Sequence, residues 1–297
     1  MRSVLASLLA FAALAAPAAA ASPFELLVPA SVGFATDGVH HVAWGDPAGG
    51  RVTVLNTRTG ERRTVPGSEG CGASLYSRDL VHEGTVPSLW CATEPHLRTL
   101  DLSALTVAPA PGYEPAPAPV SPCPAVRRVP PTDGDARRYV AVGDRAALIF
   151  DGSRLDETRR WAVSLRRCDG RTVALGTTRG EAGSAWVGGG WAVWDTGIDG
   201  SLYDPSYERL DRPAVHAVRV RDLERVTLRL PRTGRELCGR QAMGAFGQPV
   251  HTASHVFWVE QTSFVEDKLC FETGPSRVWV APLRPGAVDL TPDAPAP

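Results

Sequence analysis

Apolar residues along this chain fall in short runs bounded by Gly, Asp, Asn and Pro, the pattern of β-strands joined by tight turns. Two kinds of run recur in pairs. The first is largely apolar and ends in an aromatic: His40–Trp44, Val86–Trp90, Ala146–Phe150, Gly190–Trp194 and Ser254–Trp258. The second follows it and alternates: Arg51–Gly60, His96–Leu105, Trp161–Gly170, His216–Arg225 and Ser276–Gly286. A short third run closes each set, at Arg63–Val65, Thr106–Ala108, Thr172–Leu175, Val226–Leu230 and Val288–Leu290. A further candidate strand precedes the aromatic-ended run, as in Val32–Gly38, Tyr139–Asp144 and Ala185–Gly190.

The terminal aromatics recur about every 53 residues. Four strands per unit at that spacing predict an all-β chain, a β-propeller of about five four-stranded blades, with a sixth imperfect blade compatible and a β-sandwich as the alternative. Phe24–Val28 is placed to complete the last blade and so remove an open sheet edge. Trp44, Trp90, Trp194 and Trp258 occupy one place in the unit and are expected to pack between blades.

The order of aromatic-ended strand, turn, alternating strand and Thr-Gly or Asp-Gly turn resembles propeller repeats of the TolB type. Val42–Val65 carries it best, and Ala287–Pro292 is similar to the closing strand of such a repeat. The resemblance implies a periplasmic interaction scaffold or the propeller of a peptidase. The sequence is expected to hold neither the separate N-terminal domain of the former nor the hydrolase domain of the latter, so no functional residue carries over.

Composition then places the chain. With 43% hydrophobic and 21% charged residues it is globular. Residues 1–21, with Arg2, an apolar stretch and a run of small residues, read as a secretory signal peptide, leaving 22–290 as one domain and 291–297 as a flexible tail. The expected location is secreted or extracytoplasmic, with no membrane span in the mature chain. An even count of 6 Cys in an exported chain favours three disulfides. Pairing within the predicted units gives Cys71–Cys91, Cys123–Cys168 and Cys238–Cys270. The stretch 109–131 holds nine prolines and reads as an extended connector tacked down by Cys123.

With 31 Lys+Arg against 32 Asp+Glu, the formal charge of −1 argues against a nucleic-acid partner. The expected partner is an envelope or extracellular protein or glycan. Trp186, Trp191, Tyr203 and Tyr207 are candidates for an exposed binding patch. Glu69, Asp133, Asp135, Glu181 and Glu236, in the connectors between units, would form an acidic ring for a cation or sugar if they lined one end of a central channel. That ring would also serve an extracellular hydrolase or lyase acting on polysaccharide or peptide, the alternative to a binding module. No cofactor is expected apart from Ca²⁺ at Asp195, Asp199 and Asp204, where Gly197 and Ser206 stand in ligand positions. His251 and His255 read as ordinary turn and strand residues.

Overall fold

The computed structural model describes residues 24–76, 86–93, 97–109, 121–127, 136–153, 160–179, 185–196, 214–230, 236–237, 240–241, 249–260 and 276–291. It is all-β apart from one short helical turn. The chain begins with β1 (Glu25–Thr36), β2 (His41–Gly45), β3 (Val52–Asn56) and β4 (Arg62–Thr64), followed by β5 (Cys71–Tyr76), β6 (Val86–Cys91), β7 (Leu97–Asp101) and β8 (Thr106–Pro109). After α1 (Pro124–Arg127) come β9 (Ala136–Val142), β10 (Ala146–Ser153), β11 (Arg160–Arg167) and β12 (Thr172–Arg179). Next are β13 (Ala185–Gly188), β14 (Trp191–Thr196), β15 (Ala214–Arg219) and β16 (Arg225–Arg229), with the small hairpin β17 (Glu236–Leu237) and β18 (Arg240–Gln241). The chain closes with β19 (Pro249–His251), β20 (His255–Glu260) and β21 (Ser276–Pro282).

Hydrogen bonding joins these strands into antiparallel meanders: β1 to β4, β5 to β8, β9 to β12, β13 to β16, and β19 to β21 completed by β1. Strand β1 therefore serves twice. Its first half pairs with β21, Glu25 opposite Val280 and Val28 opposite Val278, while Ala35 and Thr36 pair with Ala43 and Val42 of β2. The expectation that Phe24–Val28 completes the last four-stranded set holds. The expectation that Val288–Leu290 closes it as a strand does not: β1 occupies that edge, and Leu290 is instead buried beside Leu27 and Leu55.

The second strands β2, β10, β14 and β20 are buried on both faces, which is why they read as nearly continuous apolar runs. In β14, Trp191 and Val193 pack with Val256 and Trp258 of β20, while Ala192 and Trp194 face Leu148 and Phe150 of β10. In β2, Val42 and Trp44 meet Phe257 and Val278, and Ala43 faces Ala73 and Leu89. Sheets thus stack face to face, with core clusters between the first and second, third and fourth, fourth and fifth, and fifth and first sets.

Trp90 breaks the expected pattern. In β6 it is Leu89 and Cys91 that face the preceding sheet, so Trp90 points the other way and is 61% exposed. A one-residue offset moves a strand side chain to the opposite face. Among the described residues no core cluster joins β5–β8 to β9–β12. The described part of the connector is not extended throughout: Pro124 opens the turn α1, whose Val126 packs with Cys123 and Ala147.

Two of the three expected disulfides are present. Cys71 and Cys91 are directly opposite one another on β5 and β6, and Cys123 ties the connector to Cys168 in the β11–β12 turn. Cys238 and Cys270 lie outside the described residues. Among the described residues no helix is long and apolar enough to cross a membrane.

Candidate functional site

The turns joining first to second strands and third to fourth strands emerge on one side of the stacked sheets, and three of the former meet there. In the β1–β2 turn, Asp37 Oδ1 accepts the backbone N–H groups of Val39, His40 and His41 at 2.7, 2.8 and 2.9 Å, and Oδ2 pairs with His41 Nδ1 at 2.7 Å. Burial pushes this carboxyl up, but the hydrogen bonds from His41, Val39 and His40 together hold it below its usual value. The turn so formed presents Val39, whose carbonyl accepts Ala253 N–H at 2.8 Å, and the Ala253 carbonyl accepts Trp191 Nε1–H at 3.1 Å.

Gly189 completes the junction. It has φ of +54°, and a Cβ there would lie 2.7 Å from Gly38 O and 3.1 Å from Ala253 Cα, so only glycine lets the three turns close. Beneath them His251 is fully buried, its Nδ1–H donating to Thr252 O at 3.1 Å. Burial pushes the His251 imidazole down to about 4. His255 donates from Nε2 to Val288 O at 2.9 Å and accepts Ser254 Oγ–H at Nδ1, 2.8 Å. These histidines are packing and turn residues on separate strands, as the sequence suggests.

Beside the junction lies a cleft of about 770 Å³, walled by turns from different sheets. Asp144 and Arg145 come from the β9–β10 turn, Arg167 and Asp169 from the β11–β12 hairpin, Arg219 and Arg221 from the β15–β16 hairpin, and Arg284 follows β21. The apolar lining includes Val39, Val187, Trp191 and Ala253.

The arginines are not equivalent. The Arg219 guanidinium sits 5.7 Å from the Trp191 ring centre, donates from Nε to Asp222 Oδ1 at 2.8 Å and also pairs with Glu224. Arg221 Nε donates to Asp222 Oδ2 at 3.1 Å. Hydrogen bonding from Arg219, reinforced by Glu224 N–H and Arg221, holds the Asp222 carboxyl down to about 2. Arg167 Nη2 donates to Arg221 O at 3.4 Å. Arg145 and Arg284 are exposed, and neither pairs with a carboxylate among the described residues.

The candidates read from sequence are distributed differently. Trp191 is 3% exposed with its indole N–H bonded, so it belongs to the core and only borders the cleft rather than forming an exposed patch. Trp186 is half-buried beside Gly38. Glu69 is exposed and paired with Arg51 at 2.9 Å. Glu236 falls in the β17–β18 hairpin, and Asp133, Asp135, Glu181, Tyr203 and Tyr207 lie outside the described residues. Asp195 is buried in β14, whereas Asp199 and Asp204 also lie outside them, and no group of three metal-ligating side chains occurs among the described residues.

Sequence reasoning missed the arginine set. Its members sit beside turns, in Asp144-Arg145, Arg167-Cys168-Asp169, Arg219-Val220-Arg221-Asp222 and Leu283-Arg284-Pro285-Gly286, but in a chain with 30 arginines that placement does not single them out. No protein-family model matches the chain, and no match was found among curated proteins.

Proposed function

We propose that this chain is a secreted, five-bladed β-propeller of TolB-like repeat grammar that acts as a binding module at or outside the cell envelope, with its recognition site in the cleft on the turn side. The blade count is supported by five successive four-stranded meanders, the fifth closed by the N-terminal half of β1. The location is supported by the signal-like leader and by two disulfides, which persist in oxidising compartments.

The observation that carries the binding role is the cleft itself. Its size is in the range of small-molecule sites, its walls come from several sheets, and its base is locked by the contact of Gly189 with Gly38 and Ala253. A hydrolytic role would call on Asp144 and Asp169, the two carboxylates of its lining. Both are exposed at the rim, a solvated placement unlike the dry one that general-acid chemistry uses.

The test is a glycan array and a pull-down from the extracytoplasmic fraction, run with the wild-type protein and Val39→Trp. Val39 is 44% exposed and lines the cleft, so tryptophan there fills the site without disturbing a core. Signals lost in V39W place recognition in the cleft. Signals unchanged in V39W remove it.

A further inference from the structure

We propose that the cleft takes a small hydroxylated polycarboxylate, held through its acid groups by Arg145 and Arg284. This rests on the cleft being the recognition site.

Within one cleft, Arg219 and Arg221 are already committed to Asp222 and Glu224, while Arg145 and Arg284 carry exposed guanidiniums with no described carboxylate partner. The two belong to different sheets, one in the β9–β10 turn and the other after β21, so they offer two separate anchoring points. A guanidinium presents a planar fork of donors that matches a carboxylate in two parallel hydrogen bonds. One acid group engages one such anchor; a ligand with two engages both, and the second contact forms within the same cleft.

Size and the remaining lining narrow the class. About 770 Å³ accommodates a small molecule or a few sugar rings, not a folded partner. Val39, Val187 and Ala253 supply an apolar wall for a carbon skeleton, and Asp144 and Asp169 are acceptors for hydroxyl groups. Carboxylates plus hydroxyls on a short skeleton describe both free hydroxy acids and acidic sugars.

Calorimetry with citrate, trigalacturonate and neutral maltotriose separates these sources. The expectation is saturable binding of citrate or trigalacturonate in about 50 mM salt, weakened by added salt, with the tighter of the two naming the source. Arg145→Gln with Arg284→Gln should lower that affinity about tenfold to a hundredfold. Arg63→Gln, which removes an exposed arginine paired with Glu61 on β4, should leave it unchanged. Circular dichroism and melting of each variant verify folding. Equal binding by R63Q and the double variant overturns the assignment. So does no binding of either acid at about 1 mM. If maltotriose alone binds and V39W abolishes it, the polycarboxylate assignment fails while the cleft keeps its binding role. If no probe binds, or V39W leaves binding intact, both fail.

Discussion

Gly33 of β1 pairs in parallel with Ala73 of β5, so closely that a Cβ on Gly33 would fall inside the Ala73 carbonyl. The first strands of two successive four-stranded sets are thereby brought into backbone contact. Gly33 also has φ of +70°, a conformation that side chains disfavour. Replacing it by alanine should therefore cost about 3 kcal/mol, combining backbone strain with a clash that only a strand shift relieves. Urea unfolding measures this. A loss within about 0.5 kcal/mol would mean that the two strands do not touch as described.

The disulfides should behave differently from each other. Cys71 and Cys91 staple neighbouring strands, so C71A with C91A should lower stability by about 3 kcal/mol. Removing Cys123–Cys168 frees a connector rather than a sheet, so the first effect of C123A with C168A should be faster proteolysis within 109–131. Non-reducing peptide maps and limited proteolysis report both. Cleavage of the connector at an unchanged rate would show that the bridge does not restrain it.

The repeated aromatics should separate into two groups. Trp258 is fully buried between β14 and β20, and truncation to alanine should cost about 3–5 kcal/mol. Trp90 stands 61% exposed, and W90S should cost less than about half the loss at Trp258. Similar losses at both positions would place Trp90 in a packed seam after all.

Acid should weaken the fold before its carboxylates titrate. Burial holds His251 at about 4, below the unfolded 6.5, so between these values the unfolded chain binds the extra proton. The neutral-histidine contribution is fully present above pH 6.5 and is lost as pH falls toward 4. His255 and His216 are shifted the same way by burial. At 1.36 kcal/mol per unit, His251 alone represents roughly 3 kcal/mol. Asp37, whose carboxyl is held below its ordinary value, adds its loss only at lower pH. Denaturant midpoints across this range should slope for the wild type and flatten for H251Q. Parallel slopes would assign the acid response elsewhere.

Strand positions were legible because second strands such as β2, β14 and β20 are buried on both faces and a third strand such as β11 is buried at alternating positions, patterns that one window of sequence contains. Closure by Phe24–Val28 was legible too, since a strand at the start of the chain can cover the open edge of the last set. Trp90 was misread because aligning runs on their terminal aromatic ignores a one-residue offset, and in a strand that offset reverses the face. The arginine cleft was invisible for another reason. Arg145, Arg221 and Arg284 are far apart in sequence, and which turns converge depends on how the sheets stack. The chain holds a single lysine, Lys268, against 30 arginines, so an arginine at a turn carries little information by itself.

The double duty of β1 has a consequence for how the molecule is made. Ser31 Oγ donates to Ser276 O across 245 residues, and the set containing β19, β20 and β21 has no fourth strand until residues from the other end arrive. A chain emerging in order from its N-terminus holds Glu25–Ser31 as an unpaired strand edge throughout synthesis. That edge is satisfied only when Pro282 has followed. Assembly is thus gated by β21, the last of the described strands, and a nascent chain meets its greatest risk of pairing with a neighbour during that interval.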